Sequence, residues 1–557
     1  MAIVSLQPQQ RVKHRESGAR QGGRLVWLRR WLGRLLVLLL AVGAVLFAER
    51  LRGQRALRQW EGEMTAKGER LKPSELWPAP DQRSIAFFNQ LAALIEQLPP
   101  EIGVYAGSIE GIVQVQPGQC RRGSQEPRPV IPYHDATNTW DDLKAAVNQA
   151  KPALDGLRVL LRDPPPGIGY DIQAGLEANS LPNFVRQRRG AQVLQTAAMN
   201  DLHQGNLAEA LEDLVALSGF ARLQTNDPTL VNYMIQIAIV GLSLDATWDA
   251  LQANGWTEPQ LATLQQALQN EALLSRMPQT LEAERAGRCY DLNWFRSHTY
   301  AEWVARNQPM FESFGGKPDD VQKWAPGRLW KEYGFHPLWA LAWADQEELD
   351  YVRFIQVELT AVRQAAKAGS WRKLKKQLDG IVRSYQPPAA HWRFYGELPM
   401  RDTLPMIGGT PTPKPTCPYT DFSKAWFTTL KNLTVHEMVV TAIAIKRYEL
   451  RHGGPPPTLA ALAPDFLPAA PRDLMDGEIL RYRLHADRTY ALYSVGADAQ
   501  DDGGKPFPIN SSPKDRFASP WDGPDWVWPG PVAAPAGPVA SSSEPAPVQR
   551  EAAKVNY

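Results

Sequence analysis

The feature that most constrains this chain is an apolar stretch near its N-terminus. Residues 35–48 read LLVLLLAVGAVLFA without a polar side chain, and residues 31–33 extend the stretch across Arg34. As a helix, residues 31–48 would be about 27 Å long. The hydrocarbon core of a bilayer is about 30 Å thick, so the two lengths are close. Arg34 lies near one end, where its guanidinium can reach the headgroups. We therefore predict a transmembrane helix over residues 31–48.

The charges on either side of this stretch predict its orientation. Eight basic residues precede or interrupt it: Arg11, Lys13, Arg15, Arg20, Arg24, Arg29, Arg30 and Arg34. Five follow closely: Arg50, Arg52, Arg55, Arg58 and Lys67. The excess favours a cytoplasmic N-terminus and an extracytoplasmic body. The alternative to an anchor is a signal peptide, with Val42 and Ala44 as the small residues before the cleavage site. It would also place the body outside the cytoplasm. The opposite orientation, with the body in the cytoplasm, is also an alternative, because positive charges lie on both sides of the apolar stretch.

Composition limits the function classes for the rest of the chain. The chain has 557 residues, 44% of them hydrophobic, which suits several folded domains. Subtracting residues 1–34 leaves 61 − 8 = 53 basic and 59 − 1 = 58 acidic residues. Nucleic-acid binding needs clustered positive charge, so we exclude it. Cys120, Cys289 and Cys417 are scattered without metal-ligand spacing, and three thiols form at most one disulfide.

Proline punctuation and helical periodicity divide the chain, and the predicted fold class is mainly α. The predicted segments are a basic cytoplasmic tail (1–30), the transmembrane helix (31–48), a juxtamembrane stalk (49–81), a small mixed segment (82–135), a helical domain (136–290), a Trp-rich helical region (291–409), a linker (410–424), a small α+β module (425–529) and a disordered tail (530–557).

The helical domain carries clear helix signals. A Gly205–Asn206 turn between two apolar repeats predicts a helical hairpin, and residues 204–211 resemble the second-helix start of a tetratricopeptide repeat. Asp227 before Pro228 predicts the N-cap of the next helix, 228–253, whose apolar face includes Ile237 and Val240. Asn232 and Gln236 make that helix too polar for a second membrane span, so we predict a buried core helix. Thr257 and Gln260 form the pattern of a capping box.

Residues 290–395 are unusually rich in tryptophan. They contain Trp294, Trp303, Trp324, Trp330, Trp339, Trp343, Trp371 and Trp392. Exposed indoles could stack on sugars or line a lipid groove. Helical spacing after Pro337 instead predicts that Trp339 and Trp343 pack into the core. Both interpretations are open from the sequence.

We find no complete catalytic or cofactor motif. His436–Glu437 begins like HExxH, but residue 440 is Val, so the second zinc ligand is missing. Gly315–Lys317 is followed by Pro318 rather than Ser or Thr, so it is not a phosphate loop. Ser108 lacks the glycine two residues before it that a nucleophile elbow requires. We therefore assign no catalytic residue and no cofactor-binding residue.

The C-terminal region resembles a known family. After a helix over residues 428–451 come FLPAAPRD (466–473), Asp476–Gly477, Arg481–Tyr482 and YSVGAD (493–498). This order resembles the globular half of the type II secretion major pseudopilin over about seventy residues. The resemblance implies a helix leading to a small antiparallel sheet, with an acidic loop that binds calcium. The residues that match this loop are Asp498, Asp501 and Asp502. Unlike a pseudopilin, this chain has nearly four hundred residues between the apolar stretch and the module.

These observations leave two function classes. The first is a non-enzymatic envelope scaffold that contacts the lipid bilayer through residues 31–48 and protein partners through its helical domain. In layout the chain also resembles membrane-anchored envelope proteins of planctomycete and verrucomicrobial bacteria. The alternative is an extracytoplasmic hydrolase or carbohydrate-binding protein that uses the Trp-rich region. A deep polar pocket with paired carboxylates or a His would favour the alternative, and a shallow helical groove would favour the scaffold.

Overall fold

The computed structural model describes residues 16–77, 81–99, 102, 140–165, 167, 184–223, 227–269, 272–299, 301–302, 305–306, 331–384, 422–505, 521 and 523–528. Some predictions fall outside these residues. They concern the first fifteen residues of the tail, most of segment 82–135, most of the linker 410–424, the tail 530–557, Cys120, Cys417, Trp303, Trp324, Trp330 and Trp392.

The described chain is mainly helical, which confirms the predicted class. Its α-helices are α1 (Glu16–Ala66), α2 (Gln82–Glu96), α3 (Trp140–Leu160), α4 (Phe184–His203), α5 (Leu207–Ala221), α6 (Leu230–Ala250), α7 (Glu258–Ala267), α8 (Ala272–Ser297), α9 (His336–Ala342), α10 (Ala344–Ala368), α11 (Trp371–Ser384) and α12 (Ser423–His452). A π-helical turn, Lys331–Phe335, precedes α9. The strands are β1 (Arg481–Leu484), β2 (Tyr490–Ser494) and β3 (Trp526–Trp528).

Helix α1 joins the apolar stretch to the body without a break. Its apolar N-terminal part is exposed, and it is long and apolar enough to cross a membrane. Its C-terminal part buries Leu57, Trp60 and Met64 against Leu349 and Val352 of α10. Within the stalk predicted over residues 49–81, the chain is helical to Ala66 and packs on the body.

Helices α4 and α5 form the predicted hairpin. Gly205 between them has φ +77°, a left-handed conformation that glycine adopts without strain. The next helix begins later than predicted, because Thr229 rather than Asp227 accepts the N-cap hydrogen bond, from the Asn232 amide. Asp227 Oδ1 instead accepts from the Thr229 amide at 2.8 Å. The capping box is confirmed, since the Thr257 amide donates to Gln260 Oε1 at 3.0 Å.

Helix α6 is long and apolar enough to cross a membrane, but 56% of its apolar window is buried. Ile237 and Val240 are buried, as predicted. The buried Gln236 side-chain amide donates to the Ala221 carbonyl at 2.7 Å. It thereby supplies a hydrogen bond to a backbone carbonyl at the C-terminal end of α5. The prediction of a core helix is confirmed.

The C-terminal region consists of α12 and a three-stranded antiparallel sheet in the order β1-β2-β3. Helix α12 packs against α6, α7 and α8, where Trp426, Leu430 and Met438 are fully buried. The amides of Trp371 and Arg372, at the start of α11, donate to the carbonyls of Leu474 and Met475 at 2.8 and 2.9 Å. One hydrophobic core therefore extends from α2 to β3, across the domain boundaries predicted near residues 290 and 425.

Candidate functional site

A groove of about 610 Å³ lies between α1, α10 and α11. Its described lining residues are Trp60 of α1, Arg353, Gln356, Val357, Thr360, Ala361 and Gln364 of α10, and Gln377, Gly380 and Ile381 of α11. The helices meet here because α1 and α11 both pack on α10. The groove was not predicted, since its walls come from parts of the sequence about three hundred residues apart.

The chemistry of this groove suits binding rather than catalysis. Among its described lining residues, Arg353 is the only ionisable one. General acid–base catalysis needs a carboxylate, histidine or similar group within hydrogen-bond reach of the substrate. The Thr360 hydroxyl donates to the Gln356 carbonyl of its own helix at 2.8 Å, and none of the described lining residues is a general base. The remaining surface is apolar or amide, which suits the side chains of a partner helix.

An ion-pair cluster lies at one wall of the groove and fastens α1 to the body. Glu69, just after α1, accepts hydrogen bonds from Arg363 of α10 and from Arg285 of α8, the latter at 3.2 and 3.3 Å. Glu282 of α8 accepts from Arg363 at 2.8 Å and also pairs with Arg70. The groove residue Gln356 donates to Glu69 at 3.0 Å.

This cluster holds Glu69 as a carboxylate. The hydrogen bond from Arg363, with the charges of Arg285 and Arg363, lowers the pKa of Glu69 from 4.5 to about 2 although burial acts in the opposite direction. The Arg285 side chain is only 1% exposed, so loss of Glu69 would leave a buried cation with fewer partners. The cluster is structural, and no acid–base function follows from it.

A second buried cluster ties α3 to α5. Arg158 donates to Asp213 at 2.7 Å and to Glu209 at 2.6 Å, and its guanidinium lies 3.8 Å from Asp201. Burial raises the pKa of Asp213 to about 7 and that of Asp201 to about 6, against the effect of Arg158. Asp213 Oδ2 has no hydrogen-bond partner in the described part of the chain. The cluster joins α3, α4 and α5.

The incomplete HExxH motif has a structural role. His436 Nε2 lies 2.6 Å from the Leu268 carbonyl oxygen, so the imidazole donates to the end of α7. The glycine pattern at residues 315–317 and Ser108 lie outside the described residues.

The described tryptophans of the Trp-rich region pack mostly inward. Trp339 is fully buried, and Trp343 and Trp371 are 7% and 6% exposed. Trp294 stacks on the His298 ring at 3.9 Å between centroids, and the Arg306 guanidinium lies 4.2 Å from its ring. The core interpretation of Trp339 and Trp343 is therefore confirmed, and these residues do not form a sugar-binding wall.

The acidic loop is held by hydrogen bonds from protein groups. Asp498 accepts from the Gln500 amide at 3.0 Å, and Asp501 accepts from the Gly503 amide at 2.9 Å and the Tyr493 hydroxyl at 3.2 Å. All three predicted ligands, Asp502 included, are exposed. Within the described residues no group of three or more His, Cys, Asp or Glu side chains is arranged to hold a metal ion. Calcium binding by this loop stays a prediction.

Two aspartates that the sequence did not single out as anchors hold this region together. Asp525 is fully buried and accepts from the backbone amides of Asp502, Gly504 and Lys505 at 3.4, 2.8 and 3.2 Å. Burial raises its pKa although these hydrogen bonds oppose the change. Asp473, also fully buried, accepts from the Val495 amide and the Ser494 hydroxyl, both at 2.9 Å. The motif at residues 466–498 thus has a clear structural role.

Comparison with known proteins assigns no family or function to this chain. No family model, curated protein or solved structure matches the chain.

Proposed function

We propose that this protein is a membrane-anchored scaffold of the cell envelope that docks protein partners on its helical body. The observation that carries the proposal is the continuity of α1. Its first part is apolar and exposed, and its last part is packed on α10. A helix of this kind fixes the body at a set height and orientation on the bilayer, as a scaffold requires.

The packing of α1 also favours a retained anchor over a cleaved signal peptide. Residues on both sides of the Val42–Ala44 cleavage pattern belong to one uninterrupted helix. Leu46 packs against the body cluster around Trp339 and Trp343. Removal of residues up to Ala44 would leave this contact at a new chain end.

The test of the anchor is topological. We expect the protein to sediment with membranes, to keep its N-terminal tail, and to activate an extracytoplasmic reporter fused after Tyr557. A matched fusion to a chain that starts at residue 49 should lose both membrane sedimentation and export. Reporter activity in the cytoplasm would overturn the orientation, and a mature chain that lacks the tail would overturn the anchor.

The groove beside α1 is the proposed docking surface for a partner helix. Its lining is apolar and amide with a single cation, so it suits an amphipathic helix that presents apolar side chains and a carboxylate toward Arg353. Val357, which is 53% exposed, supplies an apolar contact that no described residue covers. Enzymatic or sugar-binding use of the Trp-rich region has less support, because its described indoles are largely buried.

Gly380 permits a test of the groove that leaves the fold intact. A Cβ at this position meets no atom within 4 Å, so Gly380→Trp should fill the groove without a clash in the core. Gly380→Ala is the matched control, because it changes helix propensity in the same direction and leaves the groove open. We expect a photo-crosslinker at Thr360 to capture one partner in wild type and Gly380→Ala, but not in Gly380→Trp. Capture of the same partner from Leu450, on α12, or in Gly380→Trp would contradict the assignment.

The resemblance of the C-terminal region to a pseudopilin is part of this proposal. A long helix followed by a three-stranded antiparallel sheet supports it. We infer that a pilin-like unit was joined to the helical body and now shares its core.

A further inference from the structure

We propose that the body rests on the membrane through helix α9, whose exposed leucines enter the headgroup region beside the point where α1 leaves the bilayer. This inference rests on the proposed anchor and adds a second, peripheral contact to it. Three observations carry it: the height of α9 along α1, the distribution of side chains around α9, and the length of the apolar stretch.

Helix α9 meets α1 at the very end of the apolar stretch. Leu46 packs on a cluster that contains Trp339 and Ala342 of α9, together with Phe295 of α8. Phe47, the next residue of α1, is 60% exposed and so belongs to the lipid-facing surface. The body therefore contacts α1 while the other face of the same turn is still apolar and open.

After Leu46, α1 stays in contact with the body, here with the start of α10. The Gln346 amide donates to the Glu49 carbonyl at 3.0 Å and to its carboxylate at 2.8 Å. A Cβ on Gly53 would lie 3.2 Å from Asp345 Cβ, so α1 approaches the start of α10 closely. With no flexible linker between the apolar stretch and α10, the height of α9 above the bilayer follows directly from the position of α1.

Helix α9 has an apolar side that the body does not cover. His336, Trp339 and Ala342 are buried, one turn apart along one face. Leu341 lies opposite this buried face and is 45% exposed, and Leu338, at the edge of the face, is 37% exposed. Single exposed leucines are ordinary in soluble proteins, but these two lie one turn apart on a helix that packs against the apolar end of α1. Tyr333, in the preceding π-helical turn, is 77% exposed, and tyrosine suits the membrane interface.

The length of the apolar stretch draws this surface toward the bilayer. Residues 31–48 span about 27 Å as a helix, slightly less than the about 30 Å hydrocarbon core. A span shorter than the core is accommodated by local thinning of the bilayer or by flanking side chains that reach to the headgroups. Both place Leu46, and α9 with it, at the headgroup level. The interfacial occupant is therefore lipid rather than a protein partner.

The test uses full-length protein in phosphatidylcholine vesicles that contain a nitroxide-labelled lipid. An environment-sensitive fluorophore is attached to one introduced cysteine in a background with Cys120→Ser, Cys289→Ala and Cys417→Ser. The labelled variants are Leu338→Cys and Leu341→Cys on α9, Phe47→Cys in the anchor and Leu450→Cys on α12, which is 53% exposed. All four positions are exposed, and each variant must keep the wild-type circular dichroism spectrum.

We expect the lipid to quench labels at 338 and 341 about as strongly as the label at 47, and to leave the label at 450 unquenched. Quenching at 47 without quenching at 338 and 341 would overturn the interfacial contact and leave the anchor intact. Absence of quenching at all positions would overturn the anchor itself, and the present inference with it. Equal quenching at 450 would show adsorption without a preferred face and would also overturn the inference.

Discussion

Glu69 lies where the chain leaves α1, and its carboxylate holds guanidinium groups from two other helices. Arg285 comes from α8 and Arg363 from α10, so one side chain joins the anchor helix to both. The partners are 216 and 294 residues away in the sequence. The pKa of Glu69 is lowered to about 2, which means that folding is linked to its ionised form.

Glu69→Gln should therefore lower stability in a pH-dependent way. The folded pKa lies below the ordinary value of 4.5, so the contribution is present above pH 4.5 and is lost as the pH falls toward about 2. Near neutral pH we expect a loss of about 3 to 5 kcal/mol, typical of a broken buried ion pair. Thermal unfolding in detergent across this pH range measures it. Glu63→Gln, at an exposed position of α1, is the control, and parallel pH profiles for wild type and Glu69→Gln would contradict the prediction.

Asp525 and calcium offer competing accounts of the acidic loop. Asp525 binds three loop amides, so Asp525→Ala should loosen the loop and lower the melting temperature. Asp498→Ala removes a carboxylate bonded to the nearby Gln500 amide and should have little effect. Chelation of the wild-type protein decides between the two accounts, because an unchanged transition would remove calcium from the loop. A transition that falls on chelation and recovers with added calcium would instead support the ion predicted from the pseudopilin resemblance.

At the scale of elements, α6 shows how a helix can be predicted while its neighbours cannot. Its apolar period predicted a core helix, and Ile237 and Val240 are 0% and 3% exposed. In the sequence, the polar residue Gln236 indicated only that this helix does not span a membrane. In the fold its amide group satisfies carbonyls at the end of α5, a role that depends on the crossing of two helices.

The loss of stability on truncating a side chain of α6 should depend on how deeply that side chain is buried. Ile237→Ala and Val240→Ala should each cost about 1 to 4 kcal/mol through lost apolar burial and the cavity left behind. Val231→Ala, on the same helix but 42% exposed, should change stability by less than about 0.5 kcal/mol. Denaturant unfolding of the three variants makes the comparison. Equal effects at all three positions would mean that the α6 face is not part of the core.

At the scale of the molecule, the shared core makes the C-terminal region dependent on the rest. Trp426 and Leu430 of α12 are fully buried and belong to the core that also contains α6 and α8 residues. The indole of Trp426 donates to Glu358 of α10 at 2.9 Å. Removing residues before 422 would expose this face of α12 to water.

A fragment of residues 422–529 should therefore lack the stability of the same region in the full chain. We expect weak helicity and no cooperative thermal transition by circular dichroism and calorimetry. The full chain, in which α12 is covered, should show cooperative loss of the same helix signal. A sharp transition in the fragment would show that the C-terminal region folds alone, as its family resemblance suggested.

The apolar stretch, the helical class, the Gly205 turn, the capping box at Thr257 and the buried face of α6 could all be predicted from the sequence. Each depends on neighbours along the chain: transfer of apolar side chains from water, helical periodicity, and local backbone hydrogen bonds. These quantities can be summed over a short window, so no knowledge of the fold is needed.

Three features became visible only in the folded protein: α1 packs on the body, α12 completes the central core, and Glu69 and Asp525 hold distant groups. The groove beside Trp60 and the leucine face of α9 also depend on helix packing. An ion pair or a buried carboxylate has no periodicity, and its stabilisation depends on partners that the chain brings together only on folding. A sequence window around Glu69 cannot contain Arg363, and this separation is the physical reason why such sites were missed.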